Sequence, residues 1–176
     1  MIKITDFIHC YENMVDDKIC KAIIDNSKNL DFAKSSTVGG DAEYRKCYIN
    51  DLDSKFDKDI FESVSKVLKQ YSSDHKNFST GLSCEDTGYE HLIYIGSNNN
   101  EYKEHVDHTD LYPRVLTCSF ILNDNYEGGD FVFFGGKHVV PPKTGSAVVF
   151  PSNFCFPHAV LPVTKGDRHA VITWIR

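Results

Sequence analysis

The chain has 176 residues, with 19 Lys and Arg against 25 Asp and Glu and a formal net charge of −6, so it lacks the basic surplus of a non-specific nucleic-acid binder. A chain of this length buries roughly 70% of the surface its unfolded form exposes, enough for one core that needs neither a disulfide nor a structural metal to hold it together. Its six cysteines (Cys10, Cys20, Cys47, Cys84, Cys118 and Cys155) are scattered without a C-x-x-C pair and read as reduced thiols, not as a secreted disulfide framework.

In chain order, Met1-Ile-Lys-Ile-Thr-Asp has no apolar h-region, and no later apolar run reaches membrane-span length. The expectation is a cytoplasmic protein with neither a membrane nor a nucleic acid as partner. Residues 16–28 open with Asp16-Asp17 and repeat Ile19, Cys20, Ile23 and Ile24 at helical spacing, which predicts a first helix. Residues 57–71 carry Ile60, Phe61, Val64, Val67, Leu68 and Tyr71 on one stripe and predict a second. Polar stretches at 35–45 and 72–88 read as surface loops. After Tyr89 the texture changes to short runs at 91–95, 115–122, 130–134, 147–150 and 169–175, punctuated by Gly and Pro. Many short strands of this kind predict a jelly-roll or barrel. The resulting fold class is α+β, mainly β: a double-stranded β-helix with N-terminal helices packed on one sheet. Residues 1–176 are expected to form a single domain, with helical and loop support over 1–88 and the core over 89–176.

The chemistry concentrates in the second half. His105 and Asp107 stand two apart in Tyr102-Lys-Glu-His-Val-Asp, and His158 follows Asp107 by 51 residues. Residues i and i+2 of an extended segment share a side, so His105 and Asp107 can face one metal while a neighbouring strand supplies His158. Two imidazoles and one carboxylate leave the opposite side of a metal open, the arrangement used by non-haem Fe(II) oxygenases. A lone H-x-D occurs by chance in many chains, and His108 with Asp110 repeats the spacing; the surroundings favour the first pair. Arg168 follows His158 by ten residues and opens the run His-Ala-Val-Ile-Thr-Trp174. An Arg there either snorkels to solvent or turns inward onto an anion, and a dicarboxylate would be such an anion. His9, His75, His91 and His138 have no partners at metal spacing, and His169 points to the strand face opposite Arg168.

From Tyr94 to Trp174 the chain resembles the prolyl 4-hydroxylase family of Fe(II)- and 2-oxoglutarate-dependent oxygenases, in its bacterial and phage-type branch. The resemblance rests on Tyr94, Tyr102, His105, Asp107, Arg114, Thr117 and Leu122-Asn123-Asp124. It continues through Gly128-Gly129-Asp130, Pro142-Lys-Thr-Gly145, Phe150-Pro-Ser-Asn, His158, Pro162-Val163, Gly166, Arg168 and Trp174, all in the family's order. It implies His105, Asp107 and His158 as iron ligands and Arg168 as the partner of the distal 2-oxoglutarate carboxylate. Tyr94 and Tyr102 would border the co-substrate, while Arg114 and Trp174 lie towards the substrate. Some relatives carry a Tyr at the position of Ile121 or a Thr at that of Phe131 to support the same carboxylate. This chain has neither, and Ser119 or Thr117, on the same strand face, is expected to substitute.

The resemblance further implies O₂ as oxidant, succinate and CO₂ as co-products, ascorbate as an activator, and hydroxylation of an unactivated C–H bond. A prolyl residue of a peptide or protein is the first-ranked substrate, ahead of a free amino acid or small metabolite. The loop 35–45 takes the place of a substrate lid, with Tyr44 and Arg45 facing the substrate. Two other classes stand beside this reading: a catalytically silent jelly-roll that holds a metal, and a zinc hydrolase, which would need a general base near the open position; Glu104 is the nearest acid in sequence, but strand alternation turns it away from the face of His105 and Asp107.

Overall fold

A computed structural model describes residues 1–34, 43–78, 80, 84–109, 111 and 113–176. In chain order the elements are β1 (His9–Tyr11), α1 (Asp17–Ser27), β2 (Ala33–Lys34), β3 (Arg45–Lys46), β4 (Tyr48–Asp51), α2 (Asp57–Asp74), β5 (Glu90–Ile95), β6 (Glu101–His105) and β7 (Leu116–Ile121). They continue with β8 (Glu127–Gly128), β9 (Phe131–Phe133), β10 (His138–Val140), β11 (Ala147–Pro151), β12 (His158–Val160), β13 (Val163–Lys165) and β14 (Asp167–Ile175).

Antiparallel pairing builds a major sheet in the order β1-β11-β7-β14-β5-β4-β2 and a minor sheet in the order β10-β9-β12-β6-β3. Side-chain alternation divides the core into two layers. Leu116, Cys118 and Phe120 of β7, Ala147 and Val149 of β11, and Val171 and Ile175 of β14 meet the helices. Ile121, Val148, Phe150, Tyr94, Ile172 and Trp174 face the minor sheet, where Phe131, Phe133 and Val160 receive them. β14, at the centre of the major sheet, is buried on both faces beyond Asp167, which is why its sequence is a continuous apolar run.

Both helices form where the stripes predict them. Asp16 caps α1 by accepting from the Lys18 N–H at 2.7 Å, and Cys20 and Ile23 face the sheet. Ile60, Val64, Val67 and Tyr71 form the buried stripe of α2. This helix runs to Asp74, three residues past its expected end. Tyr11 and Gln70 bond the Asp74 carboxylate, and the His75 N–H still bonds the Tyr71 carbonyl. The expected lid falls largely on residues 35–42, which lie outside the described residues. Among the described residues, no helix is long and apolar enough to cross a membrane, and none of the six cysteines is in a disulfide.

Candidate metal centre and its pocket

His105 ends β6, His158 opens β12, and the two are direct cross-strand partners. Asp107 sits two residues on, in the loop leaving β6, so the i, i+2 geometry is kept although the strand stops at His105. The three residues bring donor atoms within 4.8 Å of one another. Nε2 of His105 lies 3.6 Å from Asp107 Oδ1, and Nε2 of His158 lies 3.5 Å from Oδ2. Each imidazole sets its Nδ1 against a backbone carbonyl, Lys103 O at 2.8 Å for His105 and Phe156 O at 3.1 Å for His158. A carbonyl only accepts, so Nδ1 carries the proton and Nε2 presents its lone pair to the centre.

Electrostatics agree with ligation. Burial, followed by the facing His158, pushes His105 down to about 3, which keeps it neutral. Burial by itself would raise the Asp107 carboxyl. His158 and His105, with the Trp174 N–H close by and Thr117 as donor, outweigh that effect and hold it below the ordinary aspartate value. Trp174 Nε1 approaches this carboxylate without closing a full hydrogen bond. Both rings are clamped from outside, Tyr102 stacking on His105 at 3.4 Å between centroids and Phe131 lying parallel to His158 at 5.5 Å. Two imidazoles presenting Nε2 and one ionised carboxylate, buried beside a pocket, fit Fe(II). In the rival pair, His108 is tied to the Arg114 backbone, and Asp110 lies outside the described residues.

A cavity of about 140 Å³ runs from these ligands to Arg168. Arg168 and Tyr94 are cross-strand partners, and the guanidinium lies 5.2 Å over the tyrosine ring. Arg168 is 2% exposed, yet its Nε has no hydrogen-bond partner among the described residues. A buried guanidinium donor in a pocket is costly unless an anion completes it, which fits the far carboxylate of an oxo-diacid. Burial pushes the Tyr126 hydroxyl up, while the Arg168 charge and a hydrogen bond to it pull it back. Gly129 makes this packing fit: at φ +66, a Cβ there would lie 2.8 Å from Val163, 3.0 Å from Tyr126 and 3.3 Å from Arg168.

Several expected site residues are redistributed. Ser119 lines the pocket as expected. Thr117 does not: its hydroxyl donates to Asp107 Oδ2 at 2.8 Å and meets Ser152 Oγ at 2.8 Å. Across the sheet Thr117 faces Trp174 and not Arg168, so it serves the metal ligand, and Tyr126 takes the place beside Arg168. Arg114 lies 3.5 Å over the Trp174 ring and donates Nη1 to the Asp107 carbonyl. Arg45 lines the pocket 4.9 Å over Tyr102. Tyr44 does not line it: its ring meets the edge of Tyr102 and its hydroxyl bonds the Glu104 carbonyl, because successive residues at the start of β3 point to opposite sides. Glu104 itself is exposed and bonds the Gly135 N–H, which removes it as a base for hydrolysis.

Four of the other histidines pair outside the site. His91 and His169 pair at 3.1 Å on the outer face, and His9 pairs with His75 at 2.8 Å. Sequence reasoning missed Tyr126, Ser152 and Glu90. Gly128-Gly129 was the signal for a tight approach near Tyr126, Glu90 shares the strand parity of Tyr94, and no local signal marked Ser152.

Residues 90–176 match the family model of the 2OG-Fe(II) oxygenase superfamily. The match covers just under half of the chain, and members of that superfamily use Fe(II), 2-oxoglutarate and O₂. A PKHD-type hydroxylase of Psychrobacter is 34% identical over 82 residues, covering 44% of this chain and 31% of the relative. The match thus spans about a third of that relative's length. Among solved structures, the viral collagen prolyl hydroxylase of Paramecium bursaria Chlorella virus-1 superposes with a TM-score of 0.74 at 19% identity, covering 97% of this chain and 96% of that one. A Trichoplax adhaerens prolyl hydroxylase, solved with a hypoxia inducible factor peptide fragment, gives 0.76 at 19% identity over 97% and 84%. At these identities the likeness establishes the fold, that of the jelly-roll oxygenases.

Proposed function

We propose that this chain is an Fe(II)- and 2-oxoglutarate-dependent hydroxylase of an unactivated C–H bond, with a prolyl residue of a peptide or protein as its first-ranked substrate. Residues 1–176 act as one oxygenase unit in which 1–88 support the core of 89–176. The observation that carries this reading is that one pocket has His105, Asp107 and His158 at one end and the unpaired Arg168 Nε at the other. The three ligands would hold Fe(II). Arg168, backed by Tyr126, would take the distal carboxylate of 2-oxoglutarate, with Tyr94, Tyr102 and Ser119 forming the wall. When bound, the metal and co-substrate supply the oxidising power, consuming O₂ and releasing succinate and CO₂.

The chain's own share is ligation, orientation and exclusion of water. Phe131, Phe133 and Phe150 gather around His158 and keep the buried side of the centre dry. Arg114 on Trp174 forms a rigid rim where substrate enters. The peptide in the Trichoplax neighbour's complex supports a peptide substrate. The test is succinate formation by anaerobically purified protein given Fe(II), 2-oxoglutarate, ascorbate and O₂, with and without proline-containing peptides. Stimulated turnover with a mass gain of one oxygen on the peptide is expected. Turnover that no peptide stimulates would move the substrate to a free amino acid or metabolite. No turnover with intact metal binding would leave a silent module.

A further inference from the structure

β5 points Glu90, Leu92 and Tyr94 into the same pocket. Tyr94 is opposite Arg168 and Glu90 is opposite Ile172, so Glu90 stands four residues, about 13 Å, from the co-substrate end. Its carboxylate makes no hydrogen bond or ion pair among the described residues. The two nearby guanidinium groups are spread over aromatic faces: Arg114 lies on Trp174 and Arg45 on Tyr102. Burial pushes the Glu90 carboxyl up, and Arg45 and Arg114 pull it back only in part. Glu90 also opens onto an outer groove with Asp51, Asp57 and Asp86, set against the single cation Lys58 and lined by neither arginine. Field lines from that groove favour a cation on its way to the mouth.

Resting on the hydroxylase reading, we propose that Glu90 determines specificity by receiving an ammonium group of the substrate. An ionised carboxylate only accepts, and a half-buried one gains most from a charged donor. The same ammonium chemistry is carried by a free amino acid and by the N-terminal residue of a peptide.

Binding is read by calorimetry on the full chain, so that the answer does not depend on turnover. The ligands are L-proline, a peptide beginning with free proline, and the N-acetyl form of each. Free-amine ligands are expected to bind at least about tenfold more tightly than their acetylated forms, and Glu90→Gln is expected to abolish that preference. A preference for L-proline alone would place a free amino acid in the site, and a preference for the peptide would place an N-terminal residue there. Equal binding of free and acetylated ligands, a preference that survives in Glu90→Gln, or no saturable binding of any free amine would overturn the proposal. The hydroxylase reading fails separately, on succinate formation by the wild-type protein.

Discussion

Thr117 Oγ1 donates to Asp107 Oδ2 at 2.8 Å and is itself in contact with Ser152 Oγ at 2.8 Å, all three groups being buried. The chain of hydroxyls fixes the one carboxylate of the triad from behind while its other oxygen faces His105. Thr117→Val keeps the shape and removes the donor. Metal affinity, measured by Co(II) or Fe(II) titration, is expected to fall about 10- to 100-fold, and Thr117→Ser should restore most of it. Unchanged affinity in Thr117→Val would show that the carboxylate orients itself.

Asp107→Ala and His158→Ala each remove a ligand from a set of three. Both variants should lose stoichiometric metal binding and 2-oxoglutarate turnover while keeping the far-ultraviolet spectrum of the wild type. Turnover at the wild-type rate in either would refute the metal assignment.

Arg168→Ala removes the buried donor at the far end of the pocket, and its main effect should be on 2-oxoglutarate affinity. Loss of a buried charge partner costs roughly 2–5 kcal/mol, a factor of 30 or more in apparent affinity. Tyr126→Phe removes only the hydroxyl beside Arg168 and should weaken binding less. An effect of Tyr126→Phe on metal affinity, with none on 2-oxoglutarate, would contradict the arrangement.

The pair of His91 and His169 sets an acid limit on stability. Burial and then the facing His169 push His91 down to about 3, and burial chiefly pushes His169 down to about 4. The unfolded chain therefore binds more protons than the folded one between the ordinary histidine value near 6.5 and these values. Stability is fully present above about pH 6.5 and falls as pH drops, by up to about 1.4 kcal/mol per pH unit for each histidine. Urea unfolding midpoints at pH 7.5, 6 and 5 measure the slope. The double variant His91→Leu with His169→Leu should flatten it, and an equal slope in the variant would place the acid sensitivity elsewhere.

Much of this protein was legible one residue at a time. Apolar stripes gave α1 and α2, and Gly and Pro punctuation gave the runs of β5, β7, β9, β11 and β14, whereas the ligand-bearing β6 and β12 were not among them. His105, Asp107 and His158 stood out by ligand type and spacing, and Arg168 because a guanidinium is expensive to bury without a partner. Short edge strands such as β1 and β2 were not legible, since their pairing is set by β11 and β4 and their own residues carry no period.

The sequence by itself determined the kind of chemistry, because ligand type and strand parity are local properties of the chain. Only the tertiary structure decided which hydroxyl serves which charge. Thr117 and Ser119 share a strand face, yet one bonds Asp107 and the other lines the pocket, because the cross-strand register places Thr117 opposite Trp174 and Ser119 opposite Ile172. Tyr126, Ser152 and Glu90 likewise acquire a role only when sheet pairing brings distant segments together, and no local pattern encodes that distance.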